Sequence, residues 1–441
     1  MYVRVVGSPA QDAFGPGEDE AADHSGAGGG SVRDELAGIA ERVRSARALL
    51  DRPLTSYYVI VGITTLLLCL GLVMVLSTAS VTDLSFGESA YHDFEWQLVG
   101  IAVGLPIMWL LARSSPRLFR SLAYPLLAVS IIGLGLTLIP GVGQSTGGAA
   151  RWITFGSVTF QPSELAKLAL ALWGADLLAR KERMGMLADW RHMLVPLLPG
   201  TALLAMLVLA DKDLGTTFVL LIIFLALLWI AGTPGRVFAA LLILIGLVLL
   251  LLVVTESYRL KRLTGYLNMT NTDPTGPNQQ SIQGKYALGS GGIFGVGLGA
   301  SREKWGWLPE STSDFIFAII GEEFGLVGTL CVTALYGGLA FAGLRVARRA
   351  TDTFSRLAAA AITSWIVVQA VVNIGAVIGV LPITGIPLPL VSKGLSSVLV
   401  TMVGLGMLMS FARREPGVAQ ALAARGPGIG GRVLSWLRRG G

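Results

Sequence analysis

Charge is scarce in this sequence. Asp, Glu, Lys and Arg make up 14% of its 441 residues, where soluble domains carry about 25%. Cysteine is nearly absent. Cys69 and Cys331 are the two, and each lies inside an apolar run. That excludes a disulfide framework and a cysteine-based metal site. Histidine is as rare: His24, His92 and His192 are far apart, which argues against a histidine-rich metal centre. What fills the chain instead is apolar. Hydrophobic residues reach 53% and the mean hydropathy is +0.66. A domain count from length, at about 150 residues each, fails here because the apolar residues come in long runs. The net charge of +6 does not imply nucleic acid, because the basic residues lie between those runs.

The runs read as an all-α integral membrane protein. A spanning helix needs about 20 mostly apolar residues. Ten segments qualify: 57–77, 97–112, 120–140, 163–179, 193–210, 214–232, 237–254, 323–344, 357–381 and 395–412. Loops 113–119, 180–192 and 345–356 and the tail carry Arg and Lys, whereas loop 78–96 carries Asp83, Glu88, Asp93 and Glu95 and no cation. Basic loops stay cytoplasmic, so the alternation predicts an even number of spans with both termini cytoplasmic. Residues 1–52 form a separate cytoplasmic segment. Its acidic Gly/Ala-rich part, 15–31, reads as disordered, and 32–52 as a basic amphipathic helix. Residues 53–415 form the membrane domain, and 416–441 a basic cytoplasmic tail. A large extracytoplasmic loop, 255–322, separates helices 7 and 8. Its aromatic and apolar content predicts order.

Ionisable residues at membrane depth are functional candidates, since each costs about 2.5–3.5 kcal/mol to insert. Glu164 and Lys167 open the fourth span at i, i+3 and share a helix face. They read as a structural ion pair or as a polar patch on a substrate cavity. Pro162 suits the helix start and Ser163 its cap. Arg151 and Trp152 suit phosphate recognition beside an aromatic anchor, or an ordinary interface belt. Asp213 can cap the next helix. Asp314 is a single carboxylate followed by the apolar run 315–320. Partial desolvation there suits a general base. Glu322 and Glu323 follow in an expected bend, bonded to backbone or to basic groups, with a catalytic role as the lesser alternative. The glycine-rich stretch 289–299 lacks the Gly-Lys-Ser/Thr ending of a phosphate loop and reads as close backbone packing or a re-entrant turn. Residues 382–397 break the helical pattern before the last span. Irregular backbone at that depth lines a cavity or is buried in protein. Lys393 adds a cation there, or snorkels to the interface.

Taken in order, these segments resemble the FtsW/RodA/SpoVE (SEDS) family over roughly 57–415. The carriers are Arg151-Trp152-Ile153, 161–167, Asp213-Leu214-Gly215-Thr216, 283–288, 295–299, Leu308-Pro309-Glu310, 314–318 with Gly321-Glu322-Glu323, and 382–397. Ser301 to Trp305 and the uninterrupted 314–323 look closer to the division branch; Thr384-Gly385-Ile386-Pro387 looks like the elongation branch. The chain departs from the family at Ser311-Thr312-Ser313, where Ala-His-Thr is usual. It departs again at Lys393-Gly394-Leu395, where Tyr-Gly-Gly is usual, and at Asp211-Lys212 in place of Gln-Pro.

The resemblance implies an inverting peptidoglycan glycosyltransferase of the bacterial plasma membrane that polymerises lipid II at the division septum. It maps the family's essential aspartate onto Asp314. Arg151, Trp152, Glu164, Lys167, Lys285, Glu310, Ser392 and Lys393 are then expected around the substrate. The expected partners are a class B penicillin-binding transpeptidase and other divisome proteins. A divalent cation, Mg or Mn, could assist, although the sequence offers no ligand cluster for it. Two rivals stand beside this reading: a lipid II flippase, and a non-catalytic divisome scaffold.

Overall fold

The computed structural model describes residues 54–255 and 278–418, except 86, 88, 147, 148 and 157, together with Gly38 and Glu41. The expected disordered stretch 15–31, nearly all of the basic helix 32–52, most of the tail and residues 256–277 of the large loop lie outside the described residues.

Each of the ten expected spans is a helix. They are α1 (Thr55–Ser85), α2 (His92–Arg113), α3 (Pro116–Thr137), α4 (Pro162–Arg183), α5 (Trp190–Ala210), α6 (Leu214–Ile230) and α7 (Gly235–Val254), then α9 (Ile316–Arg349), α10 (Thr353–Val377) and α11 (Leu395–Ala412). A shorter helix, α8 (Gln279–Ser290), lies inside the large loop. Among the described residues, eight of the ten are long and apolar enough to cross a membrane. The other two fall short for different reasons. Helix α6 is apolar but has 17 residues. Helix α4 has 22 residues but carries Glu164, Lys167, Asp176 and Arg180.

Burial explains how α4 tolerates that charge. Glu164, Lys167 and Asp176 are all buried, so they face protein and not lipid, as intramembrane ions must. Helix α4 packs on α3, α6 and α10, and α10 packs in turn on α9 and α6. Helices α4, α10 and α11 therefore form the interior of the bundle. Helix α7 is the opposite case. Leu241 is its one buried side chain.

Local chemistry sets the helix starts. Asp213 caps α6, accepting from the Thr216 amide at 3.0 Å and its hydroxyl at 2.8 Å. Asp352 caps α10 through the Ser355 amide (3.1 Å) and hydroxyl (2.6 Å). Ser163 does not cap α4. That helix starts earlier, with Pro162 in its first turn and Gln161 at the cap position.

Two features depart from the sequence reading. Loop 141–162 folds into a small antiparallel sheet of β1 (Gly143–Thr146), β2 (Ala149–Phe155) and β3 (Val158–Phe160), in that order. Strands this short carry too little alternation to read from sequence. The span expected at 323–344 is longer and broken. Helix α9 starts at Ile316 and its backbone leaves the helical region at Gly325 (φ 68°, ψ −161°). The glycine-rich stretch 289–299 fills the break. Val296 and Gly297 donate to the Glu322 and Glu323 carbonyls at 2.9 and 3.1 Å, and Leu326 and Val327 donate to Gly292 and Ile293 at 2.9 and 3.2 Å. Close backbone packing was the expectation for this stretch, and it holds. A Cβ at Gly291 would collide with the Gly321 carbonyl, and one at Gly295 with the Glu323 carbonyl.

Gly295 also has φ +83°, so Gly295→Ala should lower stability by more than about 2 kcal/mol. Gly246→Ala, in α7 with nothing within 4 Å of the added atom, should be neutral. Thermal unfolding of both proteins in detergent checks this; equal melting temperatures would refute the packing argument.

Candidate functional site

Asp314 lies two residues before α9, half-buried, at the end of a turn over 311–315. A Cβ on Gly385 would lie 3.4 Å from its Oδ2, so the carboxylate faces the backbone of segment 378–394. That segment links α10 to α11 without helix, and Ile386, Leu388, Leu390 and Val391 are 4% exposed or less. Its second half, 386–392, is thus largely buried in protein, one of the two settings that irregular backbone at this depth allows.

Three bonds tie the Asp314 turn down, one at each of three consecutive carbonyls. The Lys393 amide donates to Thr312 O at 3.0 Å. The Ser392 hydroxyl donates to Ser313 O at 2.6 Å. The Asn373 side-chain amide donates to Asp314 O at 2.7 Å. Ser392 is itself buried, and its oxygen also accepts from the Leu388 amide at 2.8 Å. Its hydroxyl is thus occupied by backbone. Glu310, exposed and at φ 58°, accepts from the Ser313 hydroxyl at 2.6 Å.

Glu164 and Lys167 form a buried ion pair at 2.8 Å. Lys167 also donates to Gln369 Oε1 at 3.0 Å, and its Nζ lies 5.4 Å from the centre of the Trp365 ring. Gln369 accepts from Trp365 Nε1 at 2.9 Å and donates to Pro387 O at 3.0 Å. Of the two readings open for this pair, the geometry favours the structural one. Lys167 orients the Gln369 amide, and that amide holds segment 378–394.

Arg151 lies on β2 and donates to Lys212 O at 2.9 Å, tying the sheet to the turn between α5 and α6. Trp152, beside it, is half-buried. Lys212 itself has φ 58°. Thr137 at the end of α3 donates to Asp211 in the same turn, at 2.8 Å for the nearer oxygen. Lys285 on α8 reaches the end of α10, where a Cβ on Gly379 would come within 2.6 Å of its Cε. Lys393 pairs with Asp93 at the start of α2. Gln97, one turn on, accepts from the Gly394 amide at 3.3 Å and donates to Ser392 O at 3.4 Å.

The site is thus one carboxylate on a stapled turn, with several cations near the same end of the bundle. A sequence model of the FtsW/RodA/SpoVE type, described as "Cell cycle protein", matches residues 57–416. The chain belongs to this family. The probable peptidoglycan glycosyltransferase FtsW of Mycobacterium tuberculosis is 43% identical over 379 residues, covering 86% of this chain and 71% of that one. Stage V sporulation protein E of Bacillus subtilis is 37% identical over 357 residues, covering 80% and 96%. Among solved structures, a peptidoglycan synthase complex coordinating polymerization and crosslinking matches with TM-score 0.62 at 28% identity, over 81% of this chain and 98% of that one. The rod shape-determining protein RodA of Thermus thermophilus matches with TM-score 0.57 at 28% identity, over 81% and 96%.

Within this FtsW/RodA/SpoVE fold, the acidic pair after Asp314 is structural. Glu322 accepts from the Ser301 hydroxyl at 2.5 Å and the Arg302 amide at 2.9 Å. Glu323 accepts from Ser77 at 2.7 Å and pairs with Lys304 at 3.2 Å. Bonds to backbone or to basic groups were expected here, and the Arg302 amide and Lys304 supply one of each. Among the described residues, no three His, Cys, Asp or Glu side chains come together. Gln369 and Asn373 escaped the sequence reading, which looked for charge. Two amides spaced i, i+4 in an otherwise apolar helix are the signal that could have found them.

Burial pushes the Asp211 carboxyl up to about 6; Thr137 and Arg151 work against this and Asp213 adds to it. A carboxyl raised on folding destabilises the folded protein at neutral pH. That penalty shrinks as pH falls through about 6 and is gone below the ordinary carboxylate value. Asp211→Asn keeps an acceptor for Thr137 and removes the charge. Its melting temperature at pH 7.5 should rise by about 2 °C or more, and its gain between pH 7.5 and 5.5 should be smaller than wild type's. A lower melting temperature at pH 7.5 would contradict this.

Proposed function

We propose that the chain polymerises lipid II into glycan strands as a peptidoglycan glycosyltransferase of septal wall synthesis. The carrying observation is Asp314. It is a half-buried carboxylate on a turn whose three consecutive carbonyls are each bonded. A general base needs that combination: a pre-set direction and partial exclusion of water.

In the proposed reaction Asp314 takes the proton from the 4-hydroxyl of the acceptor's terminal N-acetylglucosamine. That oxygen attacks the anomeric carbon of the donor N-acetylmuramic acid, with inversion. The bond from that carbon to undecaprenyl pyrophosphate breaks, and its electron pair leaves with the pyrophosphate. The leaving group develops negative charge, which cations must stabilise. Arg151 is best suited, being a guanidinium that can grip phosphate in bidentate fashion. Lys285 and Lys393 assist from α8 and from segment 378–394, with Trp152 and Glu310 on the rim. Glu164, Lys167 and Ser392 support the site from behind, through the bonds that occupy them.

The orientation follows from charge. Arg113, Arg180, Arg183, Arg349 and Arg413 cluster at helix ends remote in sequence from Asp314. Placing them in the cytoplasm puts both termini inside and Asp314 at the outer face. A class B penicillin-binding transpeptidase is the proposed partner. The support is the likeness to a complex that couples polymerization to crosslinking.

The test is glycan synthesis. The purified chain, with its matching transpeptidase, should build glycan ladders from labelled lipid II. Asp314→Asn should lose at least about 100-fold of that rate, the ordinary weight of a general base, while melting near wild type. Wild-type ladders from a well-folded Asp314→Asn protein would sink the assignment. Lipid II translocation without glycan bonds would favour the flippase instead.

A further inference from the structure

We propose that Asn373 is the positioning residue that aims Asp314. This rests on the reading of Asp314 as the base. Asn373 is 2% exposed, near the end of α10. Its side-chain nitrogen donates to two carbonyls, Asp314 O and Ile386 O, both at 2.7 Å. An amide NH2 has two donors, and both are used.

The two carbonyls belong to different segments. One is on the residue that carries the carboxylate. The other follows Gly385, where an added Cβ would lie 3.4 Å from the carboxylate. A single rigid amide therefore fixes the separation between the base and the wall beside it. Asn373 is held in turn by its helix. Gln369, one turn earlier, bonds Pro387 O and receives Lys167 and Trp365. Lys167 is neutralised by Glu164. The chain of contacts runs from a buried ion pair, through two amides, to the base. Ser392 and the Lys393 amide hold the preceding carbonyls but belong to the segment being positioned. Asn373 is the member of the staple that comes from a long helix, so it sets the reference.

Two variants test this in the full chain, with lipid II as substrate. Asn373→Leu removes both donors at the same heavy-atom count. It should lower kcat by about 100-fold, the scale of an ångström-sized misplacement, and leave KM within about threefold, because no substrate contact is lost. Asn373→Asp keeps the shape and covers the case in which the leucine protein fails to fold. Its carboxyl donates one bond while protonated and none when ionised, when it faces two carbonyl oxygens. Its activity should therefore fall as the pH rises, an alkaline limb that wild type lacks. A folded Asn373→Leu protein with wild-type kcat overturns the proposal. So does a folded Asn373→Asp protein whose pH profile keeps the wild-type shape, or one inactive at every pH. Asp314→Asn run alongside separates the failures. If it polymerises normally, the reading of Asp314 is wrong. If it is dead while the Asn373 variants are normal, the positioning role alone is wrong.

Discussion

Unpaired backbone cannot sit at membrane depth. Each buried carbonyl left without a donor costs about 1–3 kcal/mol, and lipid offers no donor at all. Segment 378–394 links α10 to α11 without helix, so its buried polar groups need partners from protein. Several have them. Tyr336 on α9 donates to Pro389 O at 2.5 Å, and Gln369 and Asn373 on α10 hold Pro387 O and Ile386 O. The same matching has a second result. A segment held at that many points is a fixed surface, and the Asp314 turn is built against it. Gly71 on α1 and Gly215 on α6 complete the fit: a Cβ on either would strike the backbone of this segment at Leu390 or Thr384.

The two ends of the bundle use charge differently. At the end remote from Asp314, Arg120 bonds Asp352 at 3.1 Å, Arg180 bonds Asp176 at 2.7 Å and Arg356 bonds Glu182 at 3.1 Å. These pairs join α3, α4, α10 and the turns beside them. Several are partly exposed, and exposed pairs contribute about 0–1 kcal/mol. They define contacts more than they supply stability. The Asp314 end has ion pairs of its own. Lys304–Glu323 is fully buried and Lys393–Asp93 partly so. There the pairs brace loops against helices.

Much of this was legible in the sequence because hydropathy speaks directly about lipid. The ten spans came from run length, and their ends agree with the helices to within about five residues, except at the end of α1, which runs eight residues past 77, and around 323. There the missed feature was Gly325. A glycine inside an apolar run gives no sign that the chain breaks, because the cause lies at 289–299, thirty residues earlier. Asp314 and the Glu164–Lys167 pair were visible as charges out of place. Their partners were not. Ser77 and Lys304 meet at Glu323 from separations of 246 and 19 residues, and Asn373 meets Asp314 across 59. Pairing at such distances belongs to tertiary structure. Neutral amides do not stand out in a search for ions.

The spacing of Glu164 and Lys167 has a bearing on how the protein enters the membrane. Helix α4 is made and inserted before α10 exists, and Gln369 lies 202 residues downstream of Lys167. During that interval two bare ions would each resist partitioning by about 2.5–3.5 kcal/mol. Because the two sit one turn apart on a single helix, α4 carries its own counter-ion. It can leave the translocon with Glu164 and Lys167 already paired and wait for the amides that later complete their network.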